Sequence, residues 1–335
     1  MNKILEKLCD GVHLNKDEIN SFFSKLMSGN IDASLASSIL IALKIKKPSD
    51  DEVFHASQFL LDSIDTNESD LRLIDLCGTG GDSKSIINVS TISSLILSAL
   101  NVKVAKHGNR SVSSKVGSAD LFEAIGIDFD KNLDESFESI DKRNISFLFA
   151  PYFHKSMKNV IDIRKTLSTR TIFNILGPLI NPLRPKCQLL GVYEKDLLET
   201  IGKVLIKQGV ESGMVVHSLD GMDEISICDK THIFEFNNGE YPKTHGTVIR
   251  GPTVVLPKAQ GFLQNIDILK NNSSQGAVSA PVDVDNLVRQ IPLLQQTPNG
   301  WVASFGTEVL KVLGGGNTYQ IITNENGIEL SLIHI

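Results

Sequence analysis

Between Leu71 and Asp120 the chain twice runs through the same pattern: a short apolar run, a loop crowded with Gly, Ser, Thr and Asn, then a helix-like segment. The first half reads LRLIDLCGTGGDSKSIINVST and the second VKVAKHGNRSVSSKVGSAD. Short apolar runs separated by helices predict a parallel sheet, because parallel neighbours need a crossover connection. Ligands of such sheets sit beyond the carboxyl ends of the strands, where both loops fall. Loops of this composition let backbone N–H groups and hydroxyls close around a phosphate. Two of them predict a ligand with two anionic ends.

The rest of the chain is arranged around that stretch. Up to about Ile64 the sequence reads as helices, with start signals at Asn15 (paired with Glu18) and Ser49 (paired with Glu52). A polar link, DTNESD, precedes the first predicted strand, Leu71–Cys77. Further strands are predicted at Val102–Ala105, Ile145–Ala150, Gln188–Val192 and Met214–His217. Helices are predicted near Asn88–Leu100, Ser118–Ile125, Met157–Leu167 and Leu197–Gly209, and Thr231–Phe236 followed by Asn-Asn-Gly reads as the start of a hairpin. The fold class is therefore α/β: a small all-helical domain, 1–66, with helices from about 155–185 packing on it, and a larger α/β domain, 70–335, with a central, mostly parallel sheet. Beyond residue 241 only VVLP, WVASF and YQIIT read as strand-like.

Apolar residues make up 41% of the 335 and charged residues 21%, near globular averages, which indicates neither a disordered chain nor a membrane class. No apolar run approaches the ~20 residues that span a bilayer. The opening MNKILEKLCDGVHLNKDE carries acids too early for a secretory signal, so the expectation is a cytoplasmic protein with no membrane partner. Cys9, Cys77, Cys187 and Cys228 lie far apart with no C-x-x-C spacing, which suggests neither a zinc site nor a disulfide framework. A net charge of −6 argues against a nucleic-acid partner.

Three glycines in Gly78-Thr79-Gly80-Gly81-Asp82 either let backbone approach a phosphate or form a plain tight turn, and the run is neither G-x-G-x-x-G nor a Walker sequence. Asn88-Val89-Ser90-Thr91 either caps the following helix or faces a ligand. In Lys106-His107-Gly108-Asn109-Arg110 a cation precedes Ser111, Ser113, Ser114 and Ser118, either a donor set for one oxyanion-rich group or a solvated basic loop, in which His107 is either a ligand contact or an ordinary loop histidine. Asp223 and Glu224, adjacent after a strand, form either an acidic surface turn or a site for Mg²⁺. Arg164 is either an exposed helix cation or a bidentate partner for a carboxylate.

GTGGD, NVST, KHGNRSVSS with GSAD, MKNV with a later Arg, TIFNILGPLINP and DGMDEIS, in this order, resemble the anthranilate phosphoribosyltransferase family over roughly residues 1–240. The resemblance implies transfer of phosphoribosyl from 5-phosphoribosyl 1-diphosphate to anthranilate, with Mg²⁺, two ions per active site, in a homodimer. It implies that Gly78, Gly81, Asp82, Asn88, Ser90, Thr91, Lys106, Ser114 and Ser118 hold the donor. Ser90, Asp223 and Glu224 are implied to ligate the metal. Gly78, Asn109 and Arg164 are implied to bind anthranilate, with His107, His154 and Pro178 lining its approach. The chain departs from the family at Ser83, where Gly is usual, at Ile86 and Ile87, where Thr-Phe is usual, and at Ser168, which replaces a common Gly. Pyrimidine nucleoside phosphorylases are similar over KHGNR to GSAD but lack the paired acids and FNILGPLINP. A nucleic-acid-binding relative of the same fold is the other alternative, and the acidic balance weighs against it.

Overall fold

The structure, a computed structural model, describes residues 1–66, 71–81, 88–110, 117–226, 229–240, 247–248, 294–297, 300–303, 318–324 and 327–333. The predicted caps form as their residue types require. Helices α1 (Asn2–Cys9), α2 (Lys16–Met27), α3 (Ala33–Lys46) and α4 (Asp50–Asp62) make up the opening bundle. Asn15 and Glu18 exchange side-chain and backbone bonds at the start of α2, as do Ser49 and Glu52 at the start of α4. Glu52 is fully buried, so its charge needs partners. It accepts from Leu14 N at 2.8 Å and from Lys46 Nζ at 2.6 Å, which ties the α1–α2 turn to the α3–α4 turn.

The α/β part follows as β1 (Ile74–Gly78), α5 (Val89–Ala99), β2 (Val104–Gly108), α6 (Ser118–Ala124), α7 (Leu133–Arg143), β3 (Ile145–Phe149) and the short α8 (Ala150–Phe153). A 3-10 turn, Lys155–Val160, leads into α9 (Ile161–Leu167) and α10 (Ile172–Leu176), and a second turn, Gly177–Leu179, precedes β4 (Cys187–Gly191). Then come α11 (Leu197–Lys207), β5 (Ser212–Ser218), β6 (Thr231–Asn237) and β7 (Thr247–Val248). The sheet order is β3-β2-β1-β4-β5-β6-β7. Neighbours are parallel from β3 across to β5, and β6 and β7 join antiparallel. The expected mostly parallel sheet is thus present. The chain reverses after β6 at Asn238 and Gly239, both at positive φ, as the Asn-Asn-Gly run predicts.

Three differences from the sequence reading have physical causes. Helix α7 was not expected because its buried face carries Ser136 and Ser139 beside Ile140, which weakens the apolar period. Strand β2 starts later and runs through Gly108, so Lys106 and His107 belong to the strand and are buried. The helix expected over Met157–Leu167 is a 3-10 turn followed by α9.

One apolar cluster joins the bundle, Val160, Ile172–Ile180, α11 and one face of β4, β5 and β6. A second, around Leu76, Val104, Phe122 and Phe147, packs α5 and α6 on the other face of β1–β3. Residues 1–250 form one compact unit. In a separate unit, 251–335, β8 (Leu294–Thr297) pairs antiparallel with β9 (Gly300–Ala303), and β10 (Thr318–Asn324) with β11 (Gly327–Ile333). WVASF and YQIIT overlap these strands, whereas VVLP lies outside the described residues.

Candidate active site

The loop after β1 is held from three sides. Thr79 N–H donates to Gly191 O at 2.9 Å, and Tyr193 N–H donates to Thr79 Oγ1 at 3.1 Å. Gly80 N–H donates to Asp223 Oδ2 at 2.7 Å, and the Arg170 guanidinium donates to Gly81 O while lying 4.0 Å over the Tyr193 ring. Glycine is required here for space as well as for conformation. A Cβ on Gly191 would lie 1.6 Å from Asp223 O, and one on Gly78 would lie 2.5 Å from Asp223 Oδ2. Gly80 and Gly81 adopt φ +67° and +80°, which favour glycine. The close seat of Asp223 against β1 and β4 therefore follows from the two strand-end glycines.

At the end of β2, Lys106 is 1% exposed; its Nζ donates to Leu76 O at 2.6 Å and to Ser90 Oγ at 3.3 Å. Burial lowers its pKa, and the nearby Asp75 charge opposes that shift. Asn88 caps α5 by accepting from Thr91 N at 3.1 Å, and Ser90 Oγ donates to Asn88 Oδ1 at 3.4 Å. Thr91 Oγ1 donates to Ser118 Oγ at 3.0 Å, so the first turns of α5 and α6 meet beside Lys106. Of the expected donor residues, Gly78 and Gly81 are thus brought against Asp223 and Arg170 respectively, and Asn88, Ser90, Thr91, Lys106 and Ser118 are linked to one another. Asp82 and Ser114 lie outside the described residues, as do Ser83, Ile86, Ile87, Ser111 and Ser113. Arg110 is not available as a free anion receptor: it is paired with Asp120 at 2.9 Å and Glu123 at 2.8 Å.

The opposite face of β2 carries His107, whose ring meets that of His154 edge-on at 5.2 Å between centroids. Both are buried, and His107 Nε2 has no hydrogen-bond partner among the described residues. Burial lowers the His154 pKa to about 4 and holds His107 well below its usual value, helped by the neighbouring ring, so both are neutral near pH 7. Pro178 is buried and its carbonyl accepts from Gln188 Nε2 at 2.8 Å. Arg164 on α9 lies 5.6 Å over the Phe173 ring, half-buried, with its pKa lowered by burial alone. Among the described residues no hydrogen bond or ion pair joins Arg164 to Asn109, which accepts from Arg110 N.

Asp223 and Glu224, with Ser90 Oγ, offer only oxygen donors, which suits a hard ion such as Mg²⁺ that keeps water and phosphate oxygens in its shell. Among the described residues no group of three or more His, Cys, Asp or Glu converges on a metal position, so such an ion would draw ligands from substrate or water.

Sequence reasoning missed Arg170, Tyr193, Gln188, Asn181 and Asp75. Only Asp75 had a readable signal, a single acid inside the apolar run LRLIDLC.

At the carboxyl ends of β1 and β2, within the unit that also holds the helical bundle, a buried lysine, two helix starts and Asp223 come together, a set of groups suited to an anionic ligand. In agreement, a family described as "Glycosyl transferase family, a/b domain" matches residues 70–261, and one described as "Glycosyl transferase family, helical bundle domain" matches residues 2–64. Anthranilate phosphoribosyltransferase of Persephonella marina is 45% identical over 242 residues, 72% of this chain and 71% of that protein. The structure resembles the crystal structure of anthranilate phosphoribosyltransferase from Thermus thermophilus (TM-score 0.67, 33% identity, 73% of each chain). It also resembles that of Saccharomyces cerevisiae in complex with PRPP and Mg (TM-score 0.58, 28% identity, 66% of this chain and 64% of that one). The chain belongs to the anthranilate phosphoribosyltransferase family.

Proposed function

We infer that the protein transfers the phosphoribosyl group of 5-phosphoribosyl 1-diphosphate to the amine of anthranilate, a step of tryptophan biosynthesis. The products are N-(5-phosphoribosyl)anthranilate and pyrophosphate. The observation that carries this reading is Lys106, a buried cation 3.3 Å from Ser90 Oγ at the first turn of α5. A cation, hydroxyls and the positive end of a helix at one point favour the negative charge that builds on a departing diphosphate.

In this reading Gly78, Gly81, Asp82, Asn88, Ser90, Thr91, Lys106, Ser114 and Ser118 hold the donor. Ser90, Asp223 and Glu224 hold Mg²⁺, two ions per site. When bound, the metal neutralises charge on the leaving diphosphate. Gly78, Asn109 and Arg164 receive anthranilate, with His107, His154 and Pro178 beside it. The Arg164 guanidinium is stacked on Phe173 and has no carboxylate partner among the described residues, which suits it to a substrate carboxylate. Neutral His107 and His154 place polar but uncharged rings against an aromatic acceptor. The aromatic amine is a competent nucleophile near pH 7, so no strong general base is required. We further infer a homodimer working in the cytoplasm, on the likeness to the family. No helix among the described residues is long and apolar enough to cross a membrane.

The test is the fluorescence of phosphoribosylanthranilate formed from the two substrates, with and without Mg²⁺. Metal-dependent product formation is expected. Folded protein that makes no product at high donor concentration would sink the assignment.

A further inference from the structure

Asp75 is fully buried in the middle of β1. Register pairs Ile74 with Val104, so strand alternation puts Asp75 and His107 on one face of the sheet and Lys106 on the other. Asp75 Oδ1 accepts from His107 N–H at 3.3 Å, and Asp75 Oδ2 accepts from Asn181 Nδ2 at 2.9 Å. Asn181 is itself fixed: Nδ2 also donates to Ala105 O at 2.8 Å, and Oδ1 accepts from Leu183 N at 3.0 Å. Directly across the ladder, Asp75 is in register with Gln188, whose amide donates to Pro178 O at 2.8 Å.

Two adjacent buried polar side chains thus reach from the same face of β1 and β4 to fasten one segment, Pro178 to Asn181. Apolar residues would fill that volume with less desolvation, so packing alone does not account for a carboxylate there. What the carboxylate adds is direction. It fixes the backbone at His107 and the far end of the Pro178 segment from a single point, and these two elements flank the proposed acceptor.

We propose that Asp75 is a positioning residue for the acceptor subsite, acting through Asn181 and the His107 backbone to set the spacing between His107 and the Pro178 wall. This rests on the reading that anthranilate is bound on that face. Donor contacts lie on the Lys106 face and are held by other bonds, so the two KM values separate the roles.

The experiment compares the full-length wild type with Asp75→Asn, Asn181→Ala and the double variant at pH 7, in initial-rate assays with donor and anthranilate varied independently. An Asn at position 75 accepts with one atom only, so it keeps at most one of the two bonds. Each single variant is expected to raise the anthranilate KM about five- to tenfold while the donor KM stays within about twofold, and the double variant to be no worse than the poorer single one. Parallel rises in both KM values, or multiplicative effects in the double variant, overturn the proposal. If Asp75→Asn does not fold, Asn181→Ala alone carries the KM comparison. Histidine ¹⁵N NMR without substrates provides an independent arm. Displaced His107 ring signals in either variant support the proposal, and unchanged signals overturn it. A wild type that forms no product defeats the functional reading, and the NMR arm still decides the role of Asp75.

Discussion

Asp223 accepts the Gly80 N–H at 2.7 Å, so the acid read as a metal ligand also holds the loop that follows β1. The two tasks are separable by substitution. Asp223→Asn keeps an acceptor for Gly80 but removes the charge, whereas Asp223→Ala removes both. Both are expected to lower kcat/KM by more than about tenfold, with the Mg²⁺ requirement moved to higher concentration. Asp223→Asn keeps a neutral hydrogen bond to Gly80 while Asp223→Ala keeps none, so the Ala variant is expected to be the less stable of the two by about 0.5–1.5 kcal/mol. Thermal melting beside a Mg²⁺ titration of activity distinguishes them; equal melting of the two variants contradicts the loop-holding role.

Arg170 donates to Gly81 O and lies 4.0 Å over Tyr193, whose N–H in turn holds Thr79. Arg170→Met is expected to raise the donor KM several-fold with little change in the anthranilate KM, in line with ~1–2 kcal/mol for a stacked, hydrogen-bonded guanidinium. Tyr193→Phe, which keeps the ring, should leave both values nearly unchanged, and Tyr193→Leu should resemble Arg170→Met. Initial rates with each substrate varied check this directly.

Ser168 ends α9 in the left-handed region at φ 47°, where a side chain costs about 1–2 kcal/mol relative to glycine. Its hydroxyl recovers part of that by donating to Lys165 O at 2.7 Å. Ser168→Gly is therefore expected to stabilise by roughly 0.5–1 kcal/mol, read as a rise of about 1–4 °C in Tm. A fall in Tm shows that the hydroxyl bond dominates.

Two buried groups give opposing pH dependence. Burial raises the Asp75 carboxyl to about 6, with Lys106 and its hydrogen bonds opposing. A raised carboxyl pKa means the folded state holds the proton more tightly, so this contribution is full below the unfolded value of 3.8 and is lost as pH rises through about 6. Burial lowers His154 to about 4, so its contribution is present above 6.5 and is lost as pH falls through about 4. Each is of order 3 kcal/mol, and between pH 6 and 4 they largely offset. His107, depressed in the same direction as His154, adds to the loss in acid. Asp75→Asn should therefore steepen the fall of stability between pH 6 and 4, measured by urea unfolding at several pH values. An unchanged slope contradicts the placement of Asp75 as a buried, titrating acid.

The parallel sheet, the helical opening and the two capping boxes at Asn15 and Ser49 were legible because each is a local pattern in composition and spacing. The residues proposed to hold the donor were legible as a grouping for the same reason: Gly78 to Gly81, Asn88 to Thr91 and Lys106 lie in short runs, and the structure brings Asn88, Ser90, Thr91 and Lys106 into one hydrogen-bonded cluster. The fixings of the site were not. Asp75 with Asn181, Gln188 with Pro178, and Arg170 with Gly81 are pairs distant in sequence or hidden in the core, and each partner alone reads as ordinary core or surface. Burial of Lys106 was also hidden, because the Gly and Asn after it look like loop while β2 in fact continues to Gly108. Helix α7 was missed because serines occupy its buried face.

In the proposed arrangement two faces of one strand end serve two substrates, donor on the Lys106 side and anthranilate on the side of His107 and Arg164. Its most direct test is a matrix of initial rates, donor against anthranilate, for the wild type, Lys106→Met and Arg164→Ala. The expected outcome is metal-dependent product from the wild type, a donor KM raised at least about tenfold in Lys106→Met, and an anthranilate KM raised at least about tenfold in Arg164→Ala, each with the other KM little changed. Variants that raise both KM values equally would contradict it.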